Sequence, residues 1–245
     1  MYDEPRTGGV ARFAAALGAA SLLAFVAAGP LHHLGLVGLN GAFAVLKWAV
    51  YGALAALVLA VLSIVIDLRR EASASTALTA FTLALVTIGS AGALAWKASR
   101  VPAIHDITTD TMQPPPFVAV LPLRAGAVNP IDYGGPDVAA KQRAAYPDLG
   151  PLTVSLPAAH AFDRALAAAR SMGWEVVASD PAAGRIEATD TTFWFGFKDD
   201  IVVRVTPLST GSRVDIRSLS RVGGGDLGAN AARIRAYLAT IKTAS

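Results

Sequence analysis

Apolar and polar positions divide this chain in two. Three long apolar stretches fill the first hundred residues, from Phe13 to about Leu36, from Phe43 to Ile66 and from Ala77 to Trp96, and the remainder of the chain is soluble in character. A bilayer core of about 30 Å is crossed by roughly 20 helical residues, so each stretch is long enough to span. Between Phe13 and Trp96 the only formal charges are Lys47, near one end of a span, and Asp67, Arg69, Arg70 and Glu71, between two spans. The pattern predicts a tail over residues 1–12, a transmembrane region over 13–96 with helices at about 13–36, 43–66 and 77–96, a connector over 97–150, and a folded domain over 151–245.

The connector holds Pro102, Pro114–Pro116, Pro122, Pro130, Pro136 and Pro147. Proline removes an amide donor and clashes with the preceding turn, which disfavours long helices and favours extended segments and turns. Phe117, Val118, Val120 and Leu121 suit a short edge strand, and a segment with these residues is expected to lie partly against the domain. From Pro151 the pattern becomes regular. Leu152–Leu156 alternates as a strand; Pro157 suits a first helical turn, and Phe162, Leu166, Ala169 and Gly173 follow helical spacing. Strands are predicted at Trp174–Ala178, Arg185–Thr191, Ile201–Pro207 and Arg213–Leu219, with turns at Asp180-Pro181, Gly184 and Ser209–Gly211. Leu227, Ala231, Ile234, Leu238 and Ile241 then form one apolar helical face, and Asp226 is placed to cap it. The predicted class is α+β: a β-α-β4-α domain whose antiparallel sheet carries two helices on one face.

Charge sets the orientation. Cytoplasmic loops collect Lys and Arg; the tail has Arg6 and Arg12, and the loop between the second and third spans has Arg69 and Arg70. Three spans then put the C-terminal domain outside the cytoplasm. Lys97 and Arg100 argue the other way, but a long domain translocates largely regardless of flanking charge. Apolar sequence continues past Gly29-Pro30 without a clear small-residue cleavage site, unlike a cleavable signal peptide. From Val101 onward 14 Lys/Arg balance 14 Asp/Glu, so the net +3 of the whole chain reflects topology. A neutral domain gives no electrostatic reason to bind nucleic acid. The chain has no cysteine, which excludes disulfides, thiolate metal sites and cysteine nucleophiles.

Several constellations invite a chemical reading. Gly223-x-Gly225-x-x-Gly228 matches a dinucleotide-binding fingerprint letter for letter, yet only a helix comes after it, where a parallel strand and a distant acid are required. Asp226 also puts a carboxylate where a pyrophosphate needs amides. The loop reads as a turn and helix cap. His105-Asp106 with Asp110 forms a candidate acid–base group, but metal hydrolases built on a His-Asp pair need further histidines, and the others are His32, His33 and His160. Asp106, Thr108, Thr109 and Asp110 also suit Asx and Ser/Thr turns. His32 and His33 come just after the Gly29-Pro30 break at a membrane boundary. Phe193-Trp194-Phe195-x-Phe197 is the densest aromatic cluster; alternation buries one ring set and exposes the other toward a bilayer interface or a partner. Arg185, Glu187, Arg204, Arg213, Asp215 and Arg217 alternate on three strands and line the sheet face that the helices leave open. Arg221 and Arg233 flank the final turn, within reach of Asp199 or Asp200.

Five segments together resemble a known family: Val101–Asp110 (Val-Pro-Ala-Ile-His-Asp-Ile-Thr-Thr-Asp), Tyr146–Leu152 (Tyr-Pro-Asp-Leu-Gly-Pro-Leu), Arg185–Thr189 (Arg-Ile-Glu-Ala-Thr), Phe197–Asp200 (Phe-Lys-Asp-Asp), and Ser220–Gly223 running through Asp226–Asn230 to Arg233-Ile234. They resemble the bacterial family known as domain of unknown function 1499, often found with hydrophobic N-terminal spans. The chain departs from the family pattern at Gly224-Gly225, where polar residues, often a basic one, are usual. The resemblance carries no activity with it.

The function expected is therefore that of a bacterial inner-membrane protein displaying a periplasmic binding or scaffolding module, with the lipid bilayer and an envelope protein, lipid or glycan as partners. Trp194, Phe195, Arg185, Arg204, Arg217 and Arg221 are the candidate binding residues. No metal, cofactor or nucleic acid is expected. An alternative reading is an envelope hydrolase using His105, Asp106 and Asp110. A third, transport or signalling through the spans, requires oligomerisation.

Overall fold

A computed structural model of the protein describes residues 7–243. Residues 1–6 of the expected tail, Arg6 among them, and the last two residues of the expected domain lie outside the described residues. The chain forms two compact units.

The first unit contains the described chain from Thr7 to Lys97 together with the tripeptide Trp194–Gly196. Its helices are α1 (Thr7–His33), α2 (Leu39–Arg69) and α3 (Ser75–Arg100), each long and apolar enough to cross a membrane. Between lipid-exposed helices, association comes from close packing of small residues, and the seam is built that way. Ala42, Ala49, Ala53, Ala56 and Ala60 are the buried apolar positions of α2, while Leu54, Val58 and Leu62 point outward. Ala14, Ala60 and Ala80 meet at the centre, one from each helix. Gly18 lets α3 approach, since a Cβ there would lie 3.3 Å from that of Leu83 and 3.4 Å from the Ala80 carbonyl.

The second unit is an α+β domain, as the pattern of residues predicts. Its sheet has six strands: β1 (Asp106–Thr108), β2 (Leu152–Val154), β3 (Glu175–Asp180), β4 (Arg185–Thr191), β5 (Lys198–Leu208) and β6 (Gly211–Ser220). All pairs are antiparallel, in the order β6-β5-β4-β3, with β1 and β2 laid end to end along the free side of β6. Alternation sends Ile186, Ala188, Ile201, Val203, Val205, Val214 and Ile216 into one core. Helices α5 (Ala158–Ser171) and α6 (Ala229–Thr243) cover that core with Phe162, Ala165, Ala169, Ile234, Tyr237 and Ile241. The Tyr237 ring stacks on Trp174 at 5.0 Å, and its hydroxyl donates to the Ala165 carbonyl at 2.9 Å.

Three local expectations differ from the structure. The apolar face of α6 starts at Ala231, because Leu227 lies before the helix in a left-handed turn (φ 55°). An eleven-residue helix, α4 (Gly135–Ala145), forms inside the proline-rich connector. Its proline, Pro136, sits in the first turn, where a missing amide costs nothing. Phe117–Leu121 forms no strand; its amides turn onto a side chain instead, and only Phe117 and Val120 are buried. The strand contributed by the connector is β1, which pairs Asp106 with Leu219, Ile107 with Ser218 and Thr108 with Arg217.

α4 closes the exposed edge of β1. The fully buried Gln142 accepts a hydrogen bond from the Thr108 amide (3.0 Å) and donates one to the Thr108 carbonyl (2.6 Å), as a neighbouring strand would. A buried amide and carbonyl left unpaired cost about 1–3 kcal/mol. Gln142→Ala is therefore expected to lower the stability of the full chain in detergent by about 2 kcal/mol, measured by chemical denaturation followed through tryptophan fluorescence. No change would mean that water replaces the amide at this edge.

Candidate functional site

The sheet face opposite α5 and α6 is charged, and the chain covers it. Glu187, Asp200, Asp215 and Arg217 on this face are buried, as is Asp106 beside them. Residues 109–133 run across it as a strap, contributing Phe117, Val120 and Ile131 to a small apolar cluster with Val202 and Leu219. Transfer of an unpaired charge from water is prohibitive, so each buried charge must find partners. Here the partners come from both the sheet and the strap.

Arg217 grips Asp106 with two parallel hydrogen bonds, 2.9 and 2.7 Å, and donates to the strap carbonyls of Ile131 (2.7 Å) and Pro115 (3.4 Å). Its guanidinium lies over the rings of Phe117 and Tyr133, 5.0 and 5.6 Å from their centroids. Burial pushes the Asp106 carboxyl above the usual range against the pull of Arg217. It also pushes the Tyr133 hydroxyl up to about 12, with the Asp106 charge acting in the same sense.

Arg221 holds Asp200 at 2.7 and 3.0 Å and donates to the Leu123 carbonyl at 2.7 Å. Arg124, from the strap, reaches the same carboxylate at 2.5 Å and the Asn129 carbonyl at 2.8 Å. The Thr189 hydroxyl adds a third donor to Asp200. Arg204 donates to Asp215 (2.9 Å), to Asp110 (3.0 Å) and to the Gln113 carbonyl (3.1 Å). Arg213 bridges the same two acids, 2.7 Å from Asp110 and 3.0 Å from Asp215. Burial opposes ionisation of Asp110, but the amides of Gln113 and Met112 and the charges of Arg213 and Arg204 outweigh it and hold its carboxyl below the usual value.

Glu187 reverses the polarity. Its fully buried carboxylate accepts the amides of Val118 (3.0 Å), Ala119 (2.8 Å) and Val120 (3.0 Å), and Arg185 approaches it at 3.1 Å. Three successive amides aimed at one point form an anion-binding nest, which a side chain of the sheet fills.

On the helix side, Arg233 of α6 joins Asp190 (2.8 Å), Asp199 (2.7 Å), Ser218 (3.0 Å) and Asn230. Asp226 accepts the amides of Gly228 and Asn230, both at 2.8 Å. Its carboxylate thus sits at the start of α6, inside the Gly223–Gly228 loop. The His105 carbonyl accepts from the Ser220 amide and from Asn230, and among the described residues the buried ring Nδ1 of His105 has no hydrogen-bond partner.

The structure brings Arg204 together with Asp110, and Arg217 together with Asp106, so the two acids of the candidate acid–base group belong to separate ion-pair sets. Arg185 pairs with Asp180 and Glu187, and Arg221 with Asp200. Sequence reasoning missed Arg124 and Gln142, which lie in the segment read as a connector.

Trp194 and Phe195 fall in the helical unit. The Trp194 indole donates to the Val26 carbonyl at 3.0 Å and lies 5.7 Å from the Phe25 ring. Phe195 packs among Trp194, Phe43 and His32, with centroids 4.9, 5.9 and 6.0 Å away.

Residues 106–241 match the family described as protein of unknown function (DUF1499), and that match covers more than half of the chain. The chain belongs to the DUF1499 family. No curated protein matches it. The DUF1499 match begins on β1 and takes in the strap, α4 and all six strands.

The Glu187 nest gives the first test of this site. Glu187→Gln places an amide group against three N–H donors and removes the charge that orients them, and is expected to cost about 2–3 kcal/mol. Thermal unfolding of the full chain measures that cost. Limited proteolysis of the native protein is expected to cleave first within residues 109–133. Cleavage unchanged from the parent chain would show that the nest does not hold the strap.

Proposed function

We propose that this DUF1499 protein is a bacterial inner-membrane protein that displays its α+β domain in the periplasm as a binding or scaffolding module. The observation that carries the reading is the double attachment of the sheet-face arginines. Arg204, Arg217 and Arg221 each hold a sheet or β1 carboxylate and a strap carbonyl at once. The polar chemistry of this face thereby maintains a fixed shape, which is what a recognition module needs. Arg217 and Arg221 are structural in this account. Arg185 and Arg204 keep about a quarter of their side chains open to solvent, and an anionic group of an envelope lipid, glycan or protein meets the face there.

The Lys/Arg distribution supports the periplasmic side: Arg12, Arg69 and Arg70 flank the cytoplasmic ends of the helices. Fusion of alkaline phosphatase after Ser245 in a bacterial host is expected to be active, and fusion of green fluorescent protein at the same point dark. The reverse pair of results would overturn the proposal and place the domain among cytosolic ligands.

A further inference from the structure

The tripeptide Trp194–Gly196 lies at a definable depth within the helical unit to which it belongs. On α2, Lys47 is followed by an uncharged run that ends at Asp67. That run is about 20 residues, or about 30 Å of helix, which is the thickness of a bilayer core. Trp48 and Tyr51 open it, edge to face at 5.7 Å and largely exposed, and Lys47 lies over the Trp48 ring. Amphipathic rings beside a charge mark the level of a membrane boundary.

α1 lies antiparallel to α2. A Cβ on Gly52 would meet the Cβ of Ser21 at 3.6 Å, and one on Gly18 would meet that of Ala56 at 3.8 Å. Continued from the Ser21–Gly52 contact, the pairing brings Val26 level with Lys47 and Trp48. The Val26 carbonyl is the acceptor of the Trp194 indole. Trp194 thus shares the level of Trp48 and Tyr51. Gly29, one turn further on, provides the seat: a Cβ there would fall 2.6 Å from both the indole Nε1 and the Trp194 carbonyl. Gly196 makes room in the same way, since a Cβ on it would press into the His33 ring. Next to this tripeptide, Phe193 is 96% exposed, the highest value among the described large apolar side chains, and Leu34 and Leu36 of the α1–α2 turn are exposed as well.

We propose that Phe193, Trp194 and Phe195 form an interfacial membrane anchor whose occupant is the lipid headgroup layer. Trp194 and Phe195 key the tip to α1 through the Gly29 notch, and Phe193 enters the headgroup region, where its large apolar surface leaves water. The inference concerns depth rather than compartment, so it stands or fails independently of which side of the membrane holds the domain.

Because the chain has no cysteine, Phe193→Cys in the full chain can carry a single nitroxide label, with Ser209→Cys, in the exposed turn between β5 and β6, as the aqueous reference. The proteins are reconstituted in vesicles of phosphatidylethanolamine and phosphatidylglycerol. Relaxation by oxygen relative to a water-soluble nickel chelate is then compared. The ratio at position 193 is expected to exceed that at 209 several-fold, and adding Gly29→Leu, which fills the notch, is expected to bring it down toward the reference. Equal ratios at the two positions would overturn the proposal. A label at 193 that meets water in pure lipid and is shielded only when other membrane proteins are present would overturn lipid as the occupant. A ratio that stays high with Gly29→Leu would overturn the keying by α1.

Discussion

A carboxylate or guanidinium taken out of water must be bonded on nearly every side, and that constraint governs the charged face of this sheet. Glu187, Asp200, Asp215 and Arg217 alternate with the core positions of β4, β5 and β6, so the pleat that buries Ile186, Val203 and Ile216 against the helices turns these charges to the other side. Left bare, that face would be solvated and its ion pairs would contribute little. Covered by an apolar layer, it would be unstable. The strap meets both demands because its irregular backbone offers unpaired carbonyls and amides. Carbonyls of Gln113, Leu123 and Ile131 meet the arginines, and amides of Val118, Ala119 and Val120 meet Glu187. Backbone groups outside helix and sheet ladders must find partners, and here side chains of the sheet and of Arg221 supply both donors and acceptors.

The two halves of this arrangement differ in how far the residues announce them. Period-two alternation in Arg185–Thr191, Ile201–Pro207 and Arg213–Leu219, and the helical spacing of Phe162, Leu166 and Ala169, are local signals, and they correspond to β4, β5, β6 and α5. The pairing of Arg221 with Asp200 and of Arg233 with Asp199 is within reach because the β5–β6 hairpin sets Asp199 opposite Ser220, beside the turn that the two arginines flank. The strap is not. Its prolines suppress periodicity, and the attraction between Arg124 and Asp200, or between Glu187 and three backbone amides far along the chain, leaves no trace in local spacing. Pro136 misleads in the same way, since a proline that breaks a helix interior also begins a helix well. Gln142 is polar and lies in a polar helix, so nothing marks it as a mimic of a strand edge.

In the helical unit the legible features are length, hydropathy and charge, and the packing rests on small residues that an alanine-rich sequence scatters widely. Gly29-Pro30 reads as a break in a span. In the structure α1 continues through Pro30 to His33, and Gly29 instead clears space for an indole from a distant part of the chain. The tip Trp194–Gly196 and the strap illustrate one principle at two sites: short irregular segments are positioned by specific notches, nests and ion pairs on regular elements, which hold their geometry at lower entropic cost.

Native-state hydrogen exchange on the full chain tests the central claim most directly. If the strap is an integral layer of the domain, the amides of Val118, Ala119 and Val120 exchange as slowly as the strand amides of Val202 and Ile216, opening only when the sheet opens. Fast exchange at these three amides, with the sheet still protected, would show that the buried charges are not what holds the strap, and the account would fail.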